Sequence, residues 1–190
     1  MRGKTGTIKF DSIPQRLNVA LTVGLIVSCA NSVQFMDIQN QGKVESHLLL
    51  LFVALWGLKI FIDDHHSFVP SKARPGLDVL FLIFSSSSLI LAAAYGYKFK
   101  LMLVYLAMHF VFLTFWNFLA CAIRKQWGFK HKLFNWMIVD FIFAAWAFVV
   151  IDNLNPTILT LFIVSLFILL VVDSLLSKTL DPDKLIGDEG

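Results

Sequence analysis

The chain has 190 residues, 57% of them hydrophobic and 15% charged, with a formal net charge of +3. Soluble domains run at roughly 45–50% apolar and about 25% charged, so these few charges cannot solvate a surface enclosing so much apolar side chain. Lipid is the simplest solvent for the excess; no polar stretch is long enough for a second, soluble domain, the two cysteines lie in apolar runs and form no disulfide framework, and no dense Lys/Arg block points to direct nucleic-acid binding.

Residues 1–16 carry Arg2, Lys4, Lys9 and Arg16 ahead of an apolar run. That run contains Asn18, Ser28, Asn31, Ser32 and Gln34 and lacks a small-residue cleavage site, so it reads as a first membrane helix rather than a signal peptide. A bilayer core of about 30 Å takes about 20 residues of helix. Six segments are candidates: Leu17–Met36, His47–Ile62, Leu77–Tyr97, Leu101–Ile123, Leu133–Ile151 and Pro156–Leu176. The second is short unless it continues through Asp63 and Asp64. Pro156 suits a first helical turn, where its missing N–H costs nothing. The connections Gly96–Lys98 and Asp152–Asn155 are tight enough to predict antiparallel hairpins. The expectation is an all-α polytopic bundle over residues 17–177, built as three helical hairpins, with a flexible acidic tail at 178–190.

Charge bias orients this bundle. Arg2, Lys4, Lys9, Arg16, Lys72, Arg74, Arg124, Lys125, Lys130, Lys132, Lys178 and Lys184 fall on one side, against Lys43, Lys98 and Lys100 on the other. Both ends are therefore expected in the cytoplasm of a plasma (inner) membrane protein. Three triplets recur in the first halves of odd-numbered helices: Leu17-Asn18-Val19, Leu77-Asp78-Val79 and Val139-Asp140-Phe141. Trp56 and Trp116 follow the first two at equal intervals. A true repeat would imply pseudo-threefold symmetry.

An ionisable side chain at membrane depth costs about 2.5–3.5 kcal/mol on insertion scales, so it should turn toward other helices. Lys59, Asp78, His109, Asn117, Asp140 and Asp173 form this intramembrane polar set. Asp140 is the deepest of the charged groups, about 12 Å past Lys132 at helical rise. One reading is a proton or cation path; the other is structural pairing, with Lys59 satisfying Asp140, Asp173 or its neighbour Asp63.

Asp63-Asp64-His65-His66 offers two carboxylates and two imidazoles, competent to ligate a divalent metal or to solvate a membrane-edge loop. Adjacent helical residues point about 100° apart, so convergence of all four needs a loop. Ser85, Ser86, Ser87 and Ser88 encircle the third helix, for close packing or for a wet pathway. The stretch with Arg124, Lys125, Trp127, Lys130 and Lys132 is basic and aromatic, suited to anionic lipid or a cytosolic protein. Cys29 and Cys121 sit in apolar runs as small side chains. No cofactor motif is present, and no catalytic constellation is evident.

These features support a non-enzymatic membrane scaffold or sensor: a homo-oligomer in the bilayer coupled to a cytosolic partner. A small ion channel or proton-coupled transporter is the alternative. In size and hairpin layout, with its basic face, the chain resembles small membrane subunits of bacterial anti-phage defence systems, the Kiwa membrane subunit type. That resemblance spans the whole chain through architecture and not through any motif. It implies a plasma-membrane oligomer coupled to a cytosolic antiviral effector and assigns no residue a role.

Overall fold

A computed structural model describes residues 13–39, 44–67 and 75–177. Within them lie α1 (Ile13–Gln39), α2 (Val44–Ser67), α3 (Pro75–Ala94), α4 (Phe99–Arg124), α5 (Lys132–Asp152) and α6 (Pro156–Ser177). Each contains a stretch long and apolar enough to cross a membrane. The described residues form an all-α, multi-pass membrane bundle of six helices. The tail at 178–190 and most of the segment 1–16 lie outside the described residues.

Local chemistry sets the ends of these helices. Pro75 and Pro156 open α3 and α6 where no intrahelical N–H bond is lost. The side chain of Asn155 caps α6 by accepting from the Thr157 N–H at 2.9 Å. Lys125 ends α4 in the left-handed conformation at φ 52, its N–H returning to the Cys121 carbonyl.

Two boundaries differ from the sequence expectation. The third helix stops at Ala94 rather than Tyr97, because Gly96 N bonds Ala93 O at 3.1 Å and tightens the chain into a turn. The second runs beyond Ile62 to Ser67, so Asp63, Asp64, His65 and His66 are helical rather than part of a loop. A helix leaving lipid keeps its own backbone bonds through the region where unpaired N–H and C=O groups are costly.

Helices α2, α3, α4, α5 and α6 close a ring, each packed on the next and α6 back on α2, while α1 packs on α2 and α3 outside that ring. Asn18 meets Phe61 and Leu25 meets Gly57, so α1 and α2 are antiparallel. Phe52 meets Phe167 and Lys59 meets Asp173, so α2 and α6 are parallel. The start of α1 and the end of α6 consequently share one end of the bundle with the α4–α5 loop; we call it the basic end. The opposite, turn end carries Tyr95–Lys98 and Asn153–Asn155. The hairpins are present, but the α1–α3 interface has no counterpart of its size between α3 and α5 or between α5 and α1. The short recurrent triplets do not generate a threefold bundle.

Apolar packing concentrates toward the turn end. Phe52 and Val53 of α2, Met102, Leu106 and Phe110 of α4, Ala147 and Val150 of α5, and Phe162 and Leu166 of α6 are fully buried. Ring contacts stitch the helices at ordinary aromatic spacing: Phe110–Phe143 at 5.5 Å, Trp146–Phe162 at 5.8 Å and Phe52–Phe167 at 5.9 Å. The outer surface is apolar as well, with Phe115, Phe141, Ile168 and Leu175 more than half exposed. Water would not tolerate such a surface, whereas acyl chains match it.

Gly96 is the tight point where α1, α2 and the α3–α4 turn converge. A Cβ there would meet Ser32 Cβ at 3.1 Å, Ala93 O at 3.2 Å and Leu50 Cδ1 at 3.2 Å. Gly96→Val should therefore lower the denaturation midpoint of the detergent-solubilised protein, by about 1–3 kcal/mol of overpacking. A midpoint equal to wild type would mean that the three elements are not held at this distance.

Candidate functional site

The buried polar residues pair between helices rather than within them. Lys59 of α2 forms an ion pair with Asp173 of α6. Asn117 Nδ2 of α4 donates to Asp140 Oδ2 of α5 at 2.9 Å. Trp116 Nε1 of α4 donates to Asp78 Oδ1 of α3 at 3.1 Å. Asp140, Asp173 and Lys59 lie within electrostatic reach of one another, so the Asn117–Asp140 bond and the ion pair form one cluster across four helices. Asp140 is only 4% exposed, too enclosed for water to supply the bonds its carboxyl needs.

His109 forms the second centre. It is fully buried, and Trp56 Nε1 of α2 donates to its Nε2 at 2.9 Å. An indole N–H can only donate, so Nε2 accepts and the ring proton stands on Nδ1. Nδ1 lies 3.0 Å from the Ser85 carbonyl oxygen and 2.9 Å from Ser85 Oγ, both on α3. One imidazole thus joins α2, α3 and α4.

Trp56 also connects the two centres, since Lys59 Nζ sits 5.3 Å from its ring centroid, within cation–π range. The continuous order is Ser85, His109, Trp56, Lys59, Asp173, Asp140 and Asn117. It runs from mid-bundle toward the basic end, opposite the apolar half of the core.

No family model, curated protein or solved structure matches this chain.

The set anticipated from sequence is therefore brought together in part. Lys59, Asp140, Asp173 and Asn117 converge; Asp78 bonds Trp116, and His109 joins the cluster only through Trp56. Ser85 reaches His109, whereas Ser88 Oγ bonds the Phe84 carbonyl of its own helix. Ser86 lines a cleft of about 20 Å3 with Asn18, Thr22 and Gly57, room for roughly one water molecule. Ser87 is half-buried. The side chains of Asp63, Asp64, His65 and His66 lie outside the described residues, and among the described residues no three His, Cys, Asp or Glu groups gather as metal ligands.

Sequence reasoning missed the tryptophans as polar partners. In the sequence Trp56 and Trp116 stand out only as markers of a repeat, yet each spends its N–H on a buried acceptor. A tryptophan placed in a span that also carries ionisable residues was the available signal. Ser32, whose hydroxyl donates to the Ala93 carbonyl across α1 and α3, was likewise unremarked as a partner.

The Arg124–Lys132 stretch is held at the basic end by its own short contacts. Gly128 adopts φ 105, His131 N bonds Gly128 O at 3.0 Å, and Asn135 Nδ2 donates to Phe129 O at 2.9 Å. Along the α2–α6 seam, a groove of about 510 Å3 is walled by Leu48, Ile163, Phe167 and Val171, an apolar lining that suits acyl chain and not a polar solute.

Proposed function

We propose that this protein is a multi-pass membrane scaffold, a plasma-membrane homo-oligomer that holds a cytosolic partner at the bilayer. One observation carries the reading: the intramembrane polar residues are used to tie helices together. Lys59–Asp173, Asn117–Asp140, Trp116–Asp78 and Trp56–His109–Ser85 each bridge different helices. Groups arranged for conduction would face a common wet path, whereas these face one another. Trp56 also interrupts any proton relay through His109, because its indole N–H has no lone pair with which to receive a proton. The N-in, C-in orientation follows from the basic bias and puts the tail 178–190 on the partner's side; we assign that tail as the partner hook. The architectural resemblance makes an antiviral effector the class of partner, and phage plaque counts with and without the gene test that extension.

A proton- or cation-coupled carrier is the second reading, and Asp140 favours it. Its carboxyl lies beside an ion pair that already matches one ammonium to one carboxylate, and Asn117 supplies its hydrogen bond. Proteoliposomes separate the two. The scaffold predicts proton and potassium flux no greater than in empty vesicles, and a soluble protein recovered with the full chain but lost when residues 178–190 are removed. Flux that Asp140→Asn abolishes would falsify the scaffold reading, as would recovery of no soluble partner.

A further inference from the structure

The α4–α5 loop places four cations in one short stretch that contains no acid. Arg124, Lys125, Lys130 and Lys132 are all exposed, and none meets a carboxylate among the described residues. Like charges held together without counter-charge repel, and they are stabilised when an anionic surface joins them. The loop has no slack with which to leave the membrane: the α4 span ends at Arg124 and the α5 span begins at Lys132. Its cations are thereby fixed within one turn of helices whose flanks face lipid.

The aromatic residues decide what kind of anion fits. Phe118, 45% exposed on the outer face of α4, packs edge-on against Trp127 at 5.5 Å. Trp127 packs on Phe134 at 6.2 Å, and Phe134 on Phe129 at 5.5 Å. This ladder of rings leads from the lipid-facing flank into the cationic loop and ends on Phe129, which is 76% exposed. A free phosphate would meet the lysines and leave that ring in water, and an acidic protein would leave the lipid-facing Phe118 flank unused. A phospholipid satisfies both, with acyl chain along Phe118, glycerol region at Trp127 and Phe129, and phosphate among the cations.

We propose that the α4–α5 loop is a binding site for the headgroup of an anionic phospholipid. The loop is pre-shaped for it by the left-handed Lys125, the positive-φ Gly128 and the Asn135–Phe129 bond, so little conformational freedom is lost on binding. This goes beyond the scaffold reading and does not depend on a soluble partner, since the site needs only the chain and lipid.

The test is native mass spectrometry of the full chain after relipidation in an equimolar mixture of phosphatidylcholine and phosphatidylglycerol. Wild type should retain phosphatidylglycerol in preference. Lys125→Gln with Lys130→Gln should cut that preference by about fivefold per charge removed, on the order of twenty-five-fold together. Phe129→Ser, with every charge intact, should also weaken it. Lys98→Gln, at the turn end, should leave it unchanged, and glycerol phosphate should not compete. All these positions are exposed, and an unchanged denaturation midpoint verifies the fold of each variant. Equal retention of the two lipids by wild type overturns the proposal. So does an equal effect of Lys98→Gln, competition by glycerol phosphate, or a soluble protein occupying the loop in place of lipid.

Discussion

Lys59→Met should be the most destabilising single substitution in the bundle, at about 3–5 kcal/mol. The ammonium pairs with Asp173 and lies within electrostatic reach of Asp140, so removing it leaves two buried carboxyls without their shared cation. Neither position admits enough water to compensate, because Asp140 and Asp173 are both buried. The cost of breaking a buried pair is largely the orphaned charge and not the lost attraction, which makes a second prediction of opposite sense. Lys59→Met combined with Asp173→Leu should recover most of the loss, since apolar replacement of a whole buried pair is often neutral or stabilising. Stability against denaturant in detergent micelles measures both. If the single and double variants are equally impaired, the pair is holding something other than itself, and the polar residues are no longer mere helix ties. A double variant that is stable but no longer recovers its soluble partner would show that the cluster shapes the partner-facing end of the bundle.

His109→Ala should rank next, at about 3–5 kcal/mol. The substitution opens a void in a fully buried position and strips the acceptor from the Trp56 N–H and the partner from Ser85 at the same time. The two contributions separate experimentally. His109→Phe fills the void but still orphans the indole, so it should retain a penalty of about 1–3 kcal/mol. Adding Trp56→Phe removes the donor too and should return stability toward wild type, because deleting both partners of a buried bond avoids the desolvation penalty of leaving one alone. An unimpaired His109→Phe would show that the Trp56–His109 bond carries no weight. The tautomer is itself measurable: nitrogen chemical shifts of the imidazole should report the proton on Nδ1, and a proton on Nε2 would contradict the donor–acceptor order drawn for the α2–α3–α4 junction.

What was legible in the sequence reflects which forces are local. Six spans emerge from composition and length because lipid imposes a fixed thickness on every helix independently of its neighbours. The helix ends at Pro156, Asn155 and Lys125 obey backbone geometry within a few residues. The costs of burying Lys59, Asp140, Asp173 and His109 are likewise single-residue properties, so the sequence alone identified these as residues that must find partners.

Which partner each found was decided only by the tertiary arrangement. Lys59 had three candidate carboxyls, and the choice of Asp173 depends on α6 packing parallel to α2, a relation between residues far apart in the chain. The same is true of Trp56, whose N–H reaches His109 on α4, a helix that the chain order alone does not place opposite α2. The displacement of α1 to the outside of a five-helix ring was also hidden, since lipid-facing and core-facing apolar residues look alike when both solvents are oily. In water, polarity tells inside from outside along a helix. In a bilayer only the few polar residues keep that contrast, and close packing settles which helices become neighbours.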